Sequence, residues 1–295
     1  MRRSVPLLRP LYEKRNSVIT TPEIQNDFWI RVFSNSPAEI DEYVMPSDAA
    51  VLGSALKNLT VERFEVDENG QGEPRSLRFT FEFRTGEENP FFENEKLVKD
   101  FSWRTQVSKS AKGKRRTWEG LVSEPVRIHW KQDKDLTKGL LGAACDLADA
   151  EKKGGERKKL PEFEKLVNKV GEIEAEAAAA DEGDEEDEDP MSPAGASFFA
   201  FFGYRGRDVS AEQSKEAVKE QQERWAKIAK GEAVDDDEED DDDDEDDDAD
   251  DLEDAEIFPD GEELAIALAE DLWPNALKYY GWFPRLLTWK KKNSG

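Results

Sequence analysis

Residues 76–83, SLRFTFEF, set Leu77, Phe79, Phe81 and Phe83 alternately with Arg78, Thr80 and Glu82. Successive side chains of an extended chain point to opposite faces, so this alternation describes an antiparallel strand with one buried and one wet face. Upstream, LTVERFEV (59–66) reads as a partner strand, and DENGQG (67–72) supplies the turn between the two. Downstream, FSWRTQV (101–107) and PVRIHW (125–130) read as two more strands, with Val126, Ile128 and Trp130 on one face of the latter. KSAKGKRR (109–116), between them, reads as a basic turn or hairpin tip. Four strands joined by short turns make an antiparallel meander. Helical patterns precede and follow it, so the expected class is α+β.

Ahead of the meander, PLLRPLYEKRNSVI (6–19) returns Leu8, Leu11, Tyr12, Arg15 and Val18 at helical spacing, and Thr21-Pro22 ends the pattern. DFWIRVFSNSP (27–37) reads as a helical turn burying Phe28, Trp29, Val32 and Phe33. Ser47 is the expected cap of a helix through residues 47–59, with Val51, Leu52, Ala55, Leu56 and Leu59 on its apolar face. Regularity fades over 138–193, which drifts into charge and alanine and reads as a long, partly disordered insertion. Order returns at ASFFAFFGYRG (196–206), whose phenylalanines read as core. A largely charged helix follows, with Ser210 as cap and Gly231 as stop. The last helical pattern, 261–283, is broken by Pro274.

Charge is distributed in an unusual way. In residues 235–256, 19 of 22 side chains are acidic, and DEGDEEDED (181–189) adds eight more. Together they account for the whole net charge of −27, so the rest of the chain is balanced. A detachable polyanion fits strongly basic macromolecules and repels nucleic-acid phosphates, which disfavours direct DNA binding. The plain alternative is a solubilising spacer. Each exposed ion pair contributes under ~1 kcal/mol, but many held together compete with DNA for basic protein surface.

Catalysis finds little support. The single histidine, His129, falls on the outer phase of its expected strand, and the single cysteine, Cys145, fits a reducing compartment without disulfides. No zinc-ligand set, phosphate-cradling glycine loop or nucleophile triad stands out, so neither cofactor nor metal is expected. No apolar stretch reaches ~18–20 residues, and the short apolar block at the N-terminus does not make a signal peptide. The expectation is a soluble, intracellular, non-enzymatic protein. The basic cluster Lys112, Lys114, Arg115 and Arg116, like Lys290, Lys291 and Lys292, is a candidate nuclear-import signal.

Several segments jointly resemble the nucleosome assembly protein family of histone chaperones, in its SET/template-activating-factor branch. They are PLYEKRNSVI, FWIRVFSNSP, FTFEF running into ENPFFENEKLVKDF, IHWKQDKDLTK, SFFAFF and ELAIALAEDLWPNALKYY, in the family's order. The resemblance implies an earmuff-shaped domain, an antiparallel sheet flanked by helices. It implies a non-enzymatic, ATP-independent chaperone that binds core histones, as the outer dimer or the central tetramer, and acts in the nucleus, with some shuttling to the cytoplasm. The implied histone-facing carboxylates are Glu262 and Glu263 at the start of the last helix and Glu270 and Asp271 before Trp273-Pro274. Asp235, Asp236, Asp237, Glu238, Glu239 and Asp240 open the acidic loop that would add charge. SET-like relatives also imply a serine/threonine phosphatase or acetyltransferase partner, while charge alone would equally suit other basic proteins.

Two features depart from the family pattern. Its long pairing helix, which implies a homodimer, is represented here by fewer than about 30 residues interrupted by Pro10. The acidic tract trails the fold in the family but here lies between SFFAFF and the last helix. The expected organisation is a helix remnant (1–20), a domain in three pieces (21–137, 194–234 and 257–283), the insertion 138–193, the polyacidic loop 235–256 and a basic tail (284–295).

Overall fold

Phe79, Phe81 and Phe83 are fully buried, and the residues between them face outward, as their alternation requires. The computed structural model describes residues 2–109, 115–180, 197–231 and 255–281. Its sheet contains β1 (Leu56–Glu62), β2 (Leu77–Phe83), β3 (Lys96–Lys109) and β4 (Arg115–Ser123), antiparallel throughout and in sequence order. Phe81 lies opposite Leu59 on β1 and Leu97 on β3. Phe79 lies opposite Val61 and, unexpectedly for an inward position, Lys99.

The fourth strand differs from the sequence expectation. It is RRTWEGLVS, paired with β3 from Phe101↔Ser123 to Lys109↔Arg115. PVRIHW instead runs as an irregular segment with a single bridge, Phe92↔Trp130. Its backbone is satisfied by loops: Val126 N–H donates to the Phe202 carbonyl, and the His129 carbonyl accepts from Glu93.

The inner face of the sheet packs on residues 197–203. Phe198–Gly203 form a 3-10 turn in which every residue is buried. Phe201 and Phe202 lie 5.1 Å and 5.3 Å from Phe101 and Phe81, centroid to centroid. Burying each such ring contributes roughly 1.5–3 kcal/mol.

The N-terminal helices are α1 (Ser4–Ile19), α2 (Pro22–Ser34), α3 (Ala38–Asp41) and α4 (Pro46–Ala55). The helix α1 passes through Pro10, tied to the domain by Tyr12, whose ring is 4.2 Å from Trp273, and by Arg9, which donates to the Val66 carbonyl. The expected helical turn is the 13-residue α2, started by Pro22 and burying Phe28, Trp29, Val32 and Phe33. The expected helix over 47–59 is shorter: α4 ends at Ala55 and the chain turns directly into β1.

Ser47 is not its cap, because Met45 is the N-cap residue and Asp48 accepts the Met45 N–H. Asp48 is fully buried and also accepts from Ser197 Oγ at 2.7 Å and Phe198 N–H at 2.7 Å, joining α4 to the aromatic turn. Asp48→Ala leaves those donors without a partner and is expected to cost about 2–4 kcal/mol in a denaturant titration.

The stretch 138–180 is built into the core instead of fading. Helix α5 (Leu140–Lys152) buries Leu140, Leu141, Ala144, Cys145, Leu147 and Ala148, and α6 (Pro161–Ala180) adds Leu166, Val170 and Ile173. Residues 181–193, the remainder of the expected insertion, lie outside the described residues. Helix α7 (Ala211–Ala229) has the expected Ser210 cap, which forms a capping box with Gln213, and stops before Gly231, whose φ is +71°. The last pattern divides into α8 (Gly261–Ala267), a π turn (Leu268–Leu272) and, past Pro274, α9 (Ala276–Gly281).

Candidate functional site

The four carboxylates of residues 262–271 do not form one open surface. Glu262 turns inward over the edge strand β4: its Oε2 accepts the Leu121 N–H at 3.1 Å. Gly120 makes that approach possible, since a Cβ there would lie 3.0 Å from the same oxygen. Burial, with Glu263 adding to it, raises the Glu262 pKa, although the Leu121 N–H opposes the shift. Asp271 accepts from Asn275 Nδ2 at 2.7 Å and from the Tyr279 hydroxyl at 2.8 Å, fastening α9. Glu270 is half exposed and pairs with Arg63 at 2.5 Å. Glu263 is exposed.

What surrounds Glu263 was not singled out in the sequence. Helix α3 packs against α8 and carries Glu39 and Asp41, followed by Glu42, all exposed. Tyr43, half-buried with its ring 5.5 Å from Phe258, sits among Glu42, Asp260 and Glu263. Burial first, then those three carboxylates, push its hydroxyl pKa well above the ordinary tyrosine value. An acidic surface around an aromatic ring suits lysine and arginine side chains, which pair with the carboxylates and lie over the ring. The triplet Glu39, Asp41, Glu42 was visible in the sequence but short beside the long acidic runs, and only packing brings it to Glu263.

The acidic run re-enters the fold at a fixed point. Glu256, its last residue, accepts the N–H groups of Arg205, Gly206 and Phe258 at 2.9, 3.1 and 3.0 Å. The same segment is held by the buried Lys99 Nζ, which donates to the carbonyls of Phe202, Tyr204 and Glu124 at 3.1, 2.7 and 2.8 Å. Residues 202–206 are therefore held by both a buried lysine and a buried glutamate, which also act on each other. Burial pushes Lys99 down to about 7 against the pull of Glu256, Cys145 and Glu124, and it pushes the Glu256 pKa up.

Asp235, Asp236, Asp237, Glu238, Glu239 and Asp240 lie outside the described residues, as do Lys112 and Lys114. Arg115 and Arg116 belong to β4, and Arg115 pairs with Glu220 of α7 at 3.4 Å. His129 is exposed and donates its backbone N–H to Asn94. A cleft of about 390 Å³ on the outer face of β3 and β4 includes Arg157 and Arg205, and both pair with Glu151. Among the described residues no group of three His, Cys, Asp or Glu is arranged to hold a metal ion, and no helix is long and apolar enough to cross a membrane.

The family model for nucleosome assembly proteins matches residues 12–281, which takes in the sheet, the aromatic turn, α8 and α9. The chain belongs to the nucleosome assembly protein (NAP) family. NAP proteins are histone chaperones, and the α+β arrangement of a four-stranded antiparallel sheet flanked by helices is the family's earmuff domain. A Schizosaccharomyces pombe protein named for nucleosome assembly is 32% identical over 132 residues, 44% of this chain and 49% of that protein. Protein SET of Drosophila melanogaster is 33% identical over 135 residues, 46% of this chain and 43% of SET. NAP1-related protein 2 of Arabidopsis thaliana is 28% identical over 154 residues, 52% and 47% of the two chains. The matched region spans about half the length of these relatives. A crystal structure of Ccp1 aligns over 94% of this chain and 83% of its own, with a TM-score of 0.49 and 25% identity.

Proposed function

We propose that this NAP-family chain is a nuclear histone chaperone that binds core histones through the carboxylates of α3 and α8 and through its polyacidic run, shielding histone charge during nucleosome assembly and disassembly without nucleotide hydrolysis. The observation that carries the reading is the convergence of Glu42, Asp260 and Glu263 on Tyr43, directly downstream of the point where Glu256 anchors the acidic run. The ordered carboxylates set orientation, and the run supplies long-range attraction and fast encounter. Glu262 and Asp271 serve this surface by holding α8 and α9 in place, while Glu263 and Glu270 meet the partner. Leu7, Leu11 and Val18 are exposed along α1, which supports pairing with a second copy through that helix.

The test is titration of core histone complexes with the full chain and with a chain lacking residues 235–254. Removing the run is expected to weaken binding roughly tenfold or more and to flatten its salt dependence, while part of the binding survives. Converting Glu42 and Glu263 to lysine in the shortened chain should then remove most of what survives. Unchanged affinity and salt slope after deletion would make the run a spacer. Equal affinity for a charge-matched polycation would make the protein a general chaperone of basic proteins.

A further inference from the structure

Helix α7 starts as a packed element and ends as a projecting one. Ser214 and Ala217 are buried against β3, where Ser214 Oγ accepts the Thr105 N–H at 2.9 Å. At helical spacing the same face continues through Gln221, Trp225 and Ile228, with Val218 at its border. No residue of α7 beyond Ala217 is buried. Trp225 is 65% exposed, Ile228 41% and Val218 37%. Among the described residues, the stripe thus extends a packing face past the edge of what it packs on.

A single exposed apolar residue needs no explanation, but a run of three on one face, centred on tryptophan, has the composition of an interface anchor. The sequence beyond it states the partner's charge. Asp235 follows Ile228 by seven positions, and 19 of the 22 residues in 235–256 are acidic. Helix α7 itself is neutral, four glutamates offset by four lysines and arginines, so it does not repel a basic partner. The stripe and the acidic run are thus neighbours along the chain, and a partner attracted by the run carries basic residues. Such a partner fits both features when apolar and basic residues share one helix.

We propose that Val218, Trp225 and Ile228 form a docking face for a basic amphipathic helix of the protein that this chain chaperones. This rests on the chaperone reading and adds an apolar contact that charge alone lacks. The contact selects helical basic segments over featureless polycations.

The experiment titrates the full chain with two labelled peptides of equal charge: a helical lysine/leucine peptide with its leucines on one face, and an oligolysine. The wild type should prefer the lysine/leucine peptide. Trp225→Ala should weaken that peptide about tenfold and leave the oligolysine unchanged, Ile228→Ser should act in the same direction, and Trp225→Phe should restore most of the loss. No loss, or equal loss for both peptides, overturns the proposal. It is also overturned if Trp225→Ala changes only the wild type's self-association, which assigns the face to a second copy. Binding of a core histone complex is measured alongside. A wild type that takes the lysine/leucine peptide but no histone complex sinks the chaperone reading and keeps the docking face.

Discussion

Lys99→Met is expected to lower the unfolding free energy by about 3–5 kcal/mol, a large share of the ~5–15 kcal/mol typical of a domain. Methionine matches the length of the stem but donates no hydrogen, so the carbonyls of Phe202, Tyr204 and Glu124 lose their buried partner. The loss also strips Glu256 of the nearby positive charge and loosens residues 202–206, where the acidic run is anchored.

The substitution should change the pH profile as well. With Lys99 lowered to about 7 from an ordinary 10.5, the unfolded chain holds a proton that the folded chain has released between those values. Stability then rises with pH across that window, because the unfolded state binds more protons. The neutral amine still donates two hydrogens, so most of the clamp survives deprotonation. Denaturant titrations at pH 7 and pH 10 should show this rise in the wild type and lose it in Lys99→Met. An equal rise in both would assign it to other groups.

Phe201→Ala is expected to cost about 3–5 kcal/mol, from lost transfer energy and the cavity left behind. Phe201 meets Phe79, Phe101, Phe198, Phe202 and Phe258 with centroids 5.1–6.1 Å apart. It therefore links the sheet to the segment that leads into α8. The rings surrounding the cavity are fixed by one another, which limits collapse. Phe201→Leu keeps most of the volume and should lose under about half as much. A thermal melt of the two variants checks the order. Near-wild-type stability of Phe201→Ala would mean that the aromatic turn is not a cooperative part of the core.

The residues that announced the fold did so locally. Alternation in SLRFTFEF marks a half-buried strand wherever that strand lies, and the phenylalanines of SFFAFF announce burial by composition alone. β4 was missed because it is an edge strand: only Gly120 and Leu121 of its nine residues are buried, so RRTWEGLVS carries little alternation. PVRIHW alternates well, yet its neighbours are loops, and it joins no strand. Lys99 offered a signal that went unread, a lysine in phase with Leu97 and Phe101 on the inward face of β3. The apolar spacing of α5 was present too, but its small residues gain their meaning from the aromatic turn they pack beside.

By itself, then, the sequence determined the α+β class, the aromatic core, the family resemblance and the presence of a polyanion with a balanced remainder. Each of these depends on residue type and spacing along the chain. Which carboxylates are available was decided in three dimensions: Glu262 is held by Leu121, Asp271 by Asn275 and Tyr279, and Glu263 joins Glu42 and Asp260 around Tyr43. The physical reason is that charge belongs to a residue, whereas its exposure, partners and pKa depend on groups that packing brings near it.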